Sequence, residues 1–167
     1  MLYLLDANTL ITAKNQYYQM ERVPEFWDWL IHQGEKGRVK IPHPIYAELK
    51  AGKDELTDWI KLPEVEAALY LDEETDVHLA QNVISQGYAD DLNDVEIESL
   101  GMDPLLIAHA LSAPANRFVI SGETSKPKAT RQNRKVPDVC GHFGIACKDI
   151  FYLLNALNFS TNWQLHE

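Results

Sequence analysis

The stretch Met1–Ile11, MLYLLDANTLI, decides how the rest of the chain is read. Leu2, Tyr3, Leu4 and Leu5 run straight into Asp6, and Ala7-Asn8-Thr9 separate that acid from apolar Leu10 and Ile11. A short unbroken apolar run ending in a turn signal describes a strand buried on both faces, as in a parallel sheet covered by helices. Asn8 or Thr9 is placed to cap a helix beginning just beyond. Asp6 is then expected at the carboxyl end of a central strand, the edge where open α/β sheets hold their ligands. The plainer reading is that Asp6 ends the strand and helps the turn.

Working outward, Leu10–Tyr18 continues as helix, and Val23-Pro24-Glu25 opens another, with proline and an acid in its first turn. That helix carries an apolar face of Phe26, Trp27, Trp29, Leu30 and Ile31 and is expected to stop at Gly34 and Gly37. Both tryptophans read as packing residues. Arg38–Ile41 is a second strand, and Pro44 starts a helix with Ile45, Tyr46 and Leu49 inward, extending toward Leu56, Trp59 and Ile60. Glu48 lies one turn into it, able to point back toward the sheet edge; an exposed helix acid is the plainer account. Amphipathic helices are expected over Glu64–Leu69 and Thr75–Gln86, the second stopped by Gly87. Asp103-Pro104 opens a clear helix, Leu105–Ala113, with Asp103 as its cap. His109 within that helix reads as a core or supporting residue. Arg117–Ile120 is the next strand and ends at Ser121-Gly122-Glu123. A last strand over Gly144–Cys147 and a last helix over Lys148–Leu157 complete the alternation. Strands alternating with helices predict an α/β fold: a single domain, a three-layer α/β/α sandwich around a mostly parallel sheet of four or five strands.

Composition sets bounds on function. At 167 residues one domain is expected, large enough to bury roughly 70% of its unfolded surface. No apolar run reaches the roughly 20 residues of a membrane span, so no membrane association is expected. No secretory signal is visible at the amino terminus, and two cysteines, Cys140 and Cys147, make no disulfide framework. A reducing cytoplasm is the expected home. Cys140 with His142 suggests a thiol catalyst only weakly, because no third residue is indicated.

The net charge of −10 conceals an uneven distribution. Pro63–Glu98 holds eleven acids and no Lys or Arg, and Asp90, Asp91, Asp94, Glu96 and Glu98 read as a solvated rim. Five bases and no acid lie within Lys126–Lys135. Lys126, Lys128, Arg131 and Arg134 are therefore candidates for phosphate contact; a loop merely solvated by its charges is the alternative. Four acids recur at comparable places: Asp6 and Glu123 follow strands, whereas Glu48 and Asp103 open helices. A doubly wound sheet brings those positions to one edge. Four carboxylates there repel one another, and Mg²⁺ or Mn²⁺ resolves that repulsion with oxygen ligands. Such a site suits in-line phosphodiester hydrolysis.

LLDANTLI, PHPIYAEL, MDPLLIAHAL and FVISGE, in that order, resemble the PIN-domain nucleases, and VPDVC…FGIAC resembles a small prokaryotic PIN-like family. The likeness covers nearly the whole chain. It implies a metal-dependent endoribonuclease with RNA as substrate, often the toxin of a toxin–antitoxin pair with an antitoxin partner, and often a homodimer. It also implies site roles. Asp6, Glu48 and Asp103 become metal-holding catalytic acids, with Asn8 and Ser121 as supporting groups. The family's fourth acid, an Asp, corresponds to Glu123, one methylene longer. Asp138, returned by the basic stretch, is the alternative fourth acid. The rival expectations are a catalytically inactive PIN-like module that binds nucleic acid or protein, a phosphatase with Asp6 as nucleophile, and a flap- or exonuclease-like DNA enzyme. Asn8 cannot supply the proton-transferring acid that the phosphatase chemistry wants.

Overall fold

In the computed structural model, which describes residues 1–166, Leu2–Leu5 forms β1 at the centre of a five-stranded sheet. The strand order is β3 (Tyr70–Leu71), β2 (Val39–Pro42), β1, β4 (Arg117–Ile120), β5 (Cys147–Lys148), and every pairing is parallel. Tyr3 lies opposite Val39 on one side and Phe118 on the other, and Leu5 lies opposite Ile120. Leu4, Leu5, Val39, Ile41, Val119 and Ile120 are fully buried, as strands covered on both faces must be. Helices on both faces complete a three-layer α/β/α sandwich.

The order of the strands places the site. The chain builds β1, β2 and β3 outward in one direction, then returns to the far side of β1 for β4 and β5. The reversal falls between β1 and β4, so the crevice outside their carboxyl ends is the place for a ligand. Asp6 and Ser121 are the first residues beyond those two strands.

The helices are α1 (Ala7–Thr12), α2 (Pro24–Glu35), α3 (His43–Lys50), α4 (Glu55–Ile60), α5 (Pro63–Leu69), α6 (Val77–Asn82), α7 (Asp94–Ser99), α8 (Asp103–Leu111), α9 (Val136–His142) and α10 (Ile150–Ala156). Their departures from expectation have local causes. The cap position of α1 is Asp6 itself, so Asn8 and Thr9 lie inside the helix, which then widens through Ala13–Tyr17. Gly34 does not end α2. It lies inside that helix, where an added Cβ would meet the Ala68 carbonyl oxygen at 2.7 Å, so its smallness lets α5 approach. Gly37, at φ +68°, makes the turn instead. The helix after Pro44 breaks beyond Lys50, and Asp54 restarts it as α4 by accepting the Thr57 amide at 3.0 Å. Gly87 lies inside a widened turn, Val83–Tyr88, that continues α6. The last strand and helix begin later than expected because Asp149 caps α10 through the Tyr152 amide at 2.8 Å. Trp27 and Trp29 are buried among Phe26 and its neighbours, as packing residues should be. Among the described residues no helix is long and apolar enough to cross a membrane.

Candidate functional site

Asp6 and Ser121 leave the sheet side by side, each held by one more rung of the ladder. The Asp6 amide donates to the Ile120 carbonyl at 2.9 Å, and the Ser121 amide donates to the Lys148 carbonyl at 3.0 Å. The Ser121 hydroxyl then donates to Asp6 Oδ2 at 2.7 Å, and both residues are buried, at 3% and 4% exposure. Asn8 closes this arrangement from α1: its Nδ2 donates to Ser121 Oγ at 3.5 Å, and its Oδ1 accepts the Gly122 amide at 2.8 Å. The Glu123 amide donates to Ser121 Oγ as well, at 3.2 Å. Asn8, from α1, and Ser121, from the loop after β4, therefore fix Asp6 in place.

Asp103 is the first residue of α8, with Met102 in the cap position, so the expected capping role is absent. Its carboxylate makes no hydrogen bond among the described residues. Burial pushes the pKa of Asp103 up to about 7, and the charges of Asp6, Glu123 and Glu48 push the same way while Lys135 opposes them. Asp6 is also raised, first by burial and then by Glu123 and Glu48; the Ser121 hydroxyl and the nearby Asn8 amide pull it back. The four acids named from sequence thus act within one electrostatic field. Glu48 reaches it from the exposed side of α3 and makes no side-chain hydrogen bond among the described residues.

Glu123 is different in kind. Lys135 Nζ donates to its Oε1 at 2.9 Å, and the Val136 amide donates to its Oε2 at 2.8 Å. Glu123 therefore joins both ends of the basic loop and occupies the start of α9. Lys135, held above its ordinary pKa first by that hydrogen bond, is the cation that also faces Asp103. Asp138 is not a substitute acid. It accepts the Ser125 hydroxyl and the Lys126 amide, and so shapes the loop.

Arg131, Arg134 and Lys135 of the basic run are paired within the protein. Arg131 donates to Glu96 through Nε and Nη2, at 2.8 and 2.7 Å, and to Asp91 through Nη1 at 2.6 Å. Arg134 donates to the carbonyls of Gly87 and Asp138. Arg131 is thus paired with the acidic rim and Arg134 with backbone carbonyls, where the expectation had both facing a phosphate. Lys126 and Lys128 remain exposed. His109 is a core residue, its Nε2 2.9 Å from the Thr75 hydroxyl. Cys140 is fully buried, and a hydrogen bond with Cys147 together with burial raises its pKa, so it stays a thiol.

Two groups at the site had no sequence signal that singled them out. Lys135 was one base among five, and nothing linear joins it to Glu123. Tyr88 is buried behind Asp103, which raises its pKa further after burial itself, and its hydroxyl has no partner among the described residues.

Whether these residues fit a divalent cation can be tested on their chemistry. Among the described residues no three His, Cys, Asp or Glu side chains already form an ion cage. The donors are all oxygen, buried Asp6 and half-buried Asp103 both have their pKa raised, and the nearby cation, Lys135, is committed to Glu123. Asp6, Asp103 and the unbonded Glu48 fit a hard cation; Glu123 fits one poorly.

Fold and site together define a doubly wound α/β protein with an under-neutralised carboxylate cluster at its topological switch point. Residues 3–161 match a family described as a domain of unknown function (DUF4411), and the chain belongs to that family. No curated protein and no solved structure matches it.

Proposed function

We propose that this protein is a metal-dependent endoribonuclease, with Asp6, Glu48 and Asp103 holding one Mg²⁺ or Mn²⁺. The observation that carries this reading is the pair Asp6, buried, and Asp103, half-buried, raised together at the switch point without a cation of their own. Acids arranged at such a cost mark functional sites. The order of the PIN-like motifs, whose first three carry Asp6, Glu48 and Asp103, supports the same reading. A bound divalent cation supplies the Lewis acid that activates water and stabilises the leaving oxygen in phosphodiester hydrolysis. The chain supplies the rest. Ser121 and Asn8 keep Asp6 in one orientation through their hydrogen bonds. Lys135 neutralises Glu123 and limits the negative field that a phosphate must enter. Lys126 and Lys128 hold the backbone of the RNA without reading its bases.

A second reading is favoured by one observation: both oxygens of Glu123 already have partners. A catalytically inactive relative that binds RNA or protein would replace a metal by such a lysine. The two readings separate in one experiment, titration of Mn²⁺ into the wild type and into Asp6→Asn by calorimetry, beside a cleavage assay on pooled RNA with and without chelator. The nuclease reading expects binding that Asp6→Asn abolishes and cleavage that chelator stops. Absence of Mn²⁺ binding at millimolar concentration would leave the inactive module as the better account.

A further inference from the structure

Beside the carboxylate cluster, on the β5 side, lies a cavity of about 620 Å³. Ser121, Gly122 and Glu123 form the wall it shares with the cluster, and its outer wall is aromatic: Tyr17, Phe151 and Tyr152. These rings are 45%, 45% and 39% exposed, although the same protein buries Phe26, Trp27 and Trp29 almost completely. Their positions are set by packing. Tyr17 and Phe151 meet edge to face at 5.2 Å, and Phe118 stacks behind Tyr152 at 6.1 Å. Lys148 Nζ stands 5.4 Å over the Tyr152 ring and is the one lysine in the lining.

We propose that this groove takes an unpaired base of single-stranded RNA, stacked on the Tyr17, Phe151 and Tyr152 rings, with Lys148 at its phosphate. The inference rests on the nuclease reading, since it supplies the substrate class of that same site. Three observations select this occupant. The volume lies within the range of roughly 300–1,000 Å³ typical of pockets for small ligands. Ordered, exposed rings with one cation form the platform on which single strands stack. The groove also shares Ser121 and Glu123 with the acid cluster, and Ser121 is hydrogen-bonded to Asp6, so a base seated there lies next to the cluster. A paired base cannot enter, because its faces are already covered by its neighbours in the duplex.

The test is fluorescence anisotropy with a labelled single-stranded RNA decamer of mixed sequence, and with the same decamer annealed to its complement, in chelator so that nothing is cut. The Tyr17→Ala/Phe151→Ala double variant is expected to bind the single strand about 5- to 150-fold more weakly, the range of stacking losses per base. Tyr17→Phe keeps wild-type affinity, and thermal melts confirm that removing exposed rings leaves the fold intact. Unchanged affinity in the double variant, or wild-type preference for the duplex, overturns the proposal. Running the Mn²⁺ cleavage assay on the same proteins separates this failure from that of the nuclease reading. Ring-dependent binding without cleavage keeps the groove and removes the nuclease. Cleavage with ring-independent binding does the reverse.

Discussion

The rim acids Asp91 and Glu96 and the sheet-edge acids Asp6 and Asp103 carry the same carboxylate group in opposite circumstances. Arg131 reaches the rim from 35 to 40 residues away in sequence and bonds both acids. Its hydrogen bonds hold the pKa of Glu96 down at about 2, with the Asn93 amide assisting. At the sheet edge no such arginine arrives. Burial, with the neighbouring acids added, lifts Asp103 to about 7, and Asp6 is raised in the same way. An acid given its own cation serves the fold, here by docking a loop. Buried acids left short of one cost the fold stability, and chains retain that kind of local conflict where function needs it.

The largest break in this comparison is expected from Asp103→Asn. Its folded pKa, about 7, stands above the ordinary 3.8, so the folded protein holds the proton more tightly than the unfolded chain. Asp103 therefore costs no stability below about pH 4, and costs progressively more as the pH rises through 7. Removing the charge should stabilise the metal-free protein by roughly 2–4 kcal/mol at pH 8, since a tenfold difference in proton affinity is worth about 1.36 kcal/mol, and by little at pH 4. Urea unfolding in chelator at both pH values checks this. An equal effect at both would assign the gain to packing. The same variant should lose Mn²⁺ affinity and RNA cleavage, which joins the stability cost to the function.

Arg131→Met attacks the neutralised side and should act locally. The loop it docks, residues 124–134, is expected to lose amide protection in hydrogen exchange, while Lys135 and Glu123 keep its ends closed. The melting temperature should move by no more than about 4 °C, since exposed pairs contribute little. Because the folded pKa of Glu96 lies below its ordinary 4.5, the wild-type dock holds above that pH. It loosens as the pH falls from there toward 2. Protection of the loop that persists in Arg131→Met would show that Glu123, Arg134 and Asp138 suffice to anchor it.

Much of the fold was legible because its longest signals are local. The buried run of β1, the Pro24 and Pro104 helix starts and the apolar Phe118–Ile120 strand all carry their own pattern. From these the switch point follows, and with it the meeting of Asp6 with Ser121. β3 was not legible: two residues between helices have no period to detect. Asp103 was found for a partly mistaken reason, since it stands one residue inside its helix and caps nothing. The roles of Arg131, Arg134 and Lys135 were hidden because hydrogen bonds across 12 to 47 positions leave no trace in spacing. The groove rings were hidden for the same reason; Tyr17 and Phe151 are 134 positions apart and meet only in the fold.

The smallest effect separates the two halves of the basic run. Lys126 and Lys128 are exposed, whereas Arg131 is committed to the rim. If both lysines contact phosphate, Lys126→Gln/Lys128→Gln should flatten the dependence of log affinity on log salt for single-stranded RNA. The expected change is about 1.4, at roughly 0.7 per phosphate contact. Arg131→Gln should leave that slope where it was, because its cation already faces Asp91 and Glu96. A slope that follows Arg131 instead would mean that RNA displaces the rim from the loop, and the two acidic regions would then share one cation between fold and ligand.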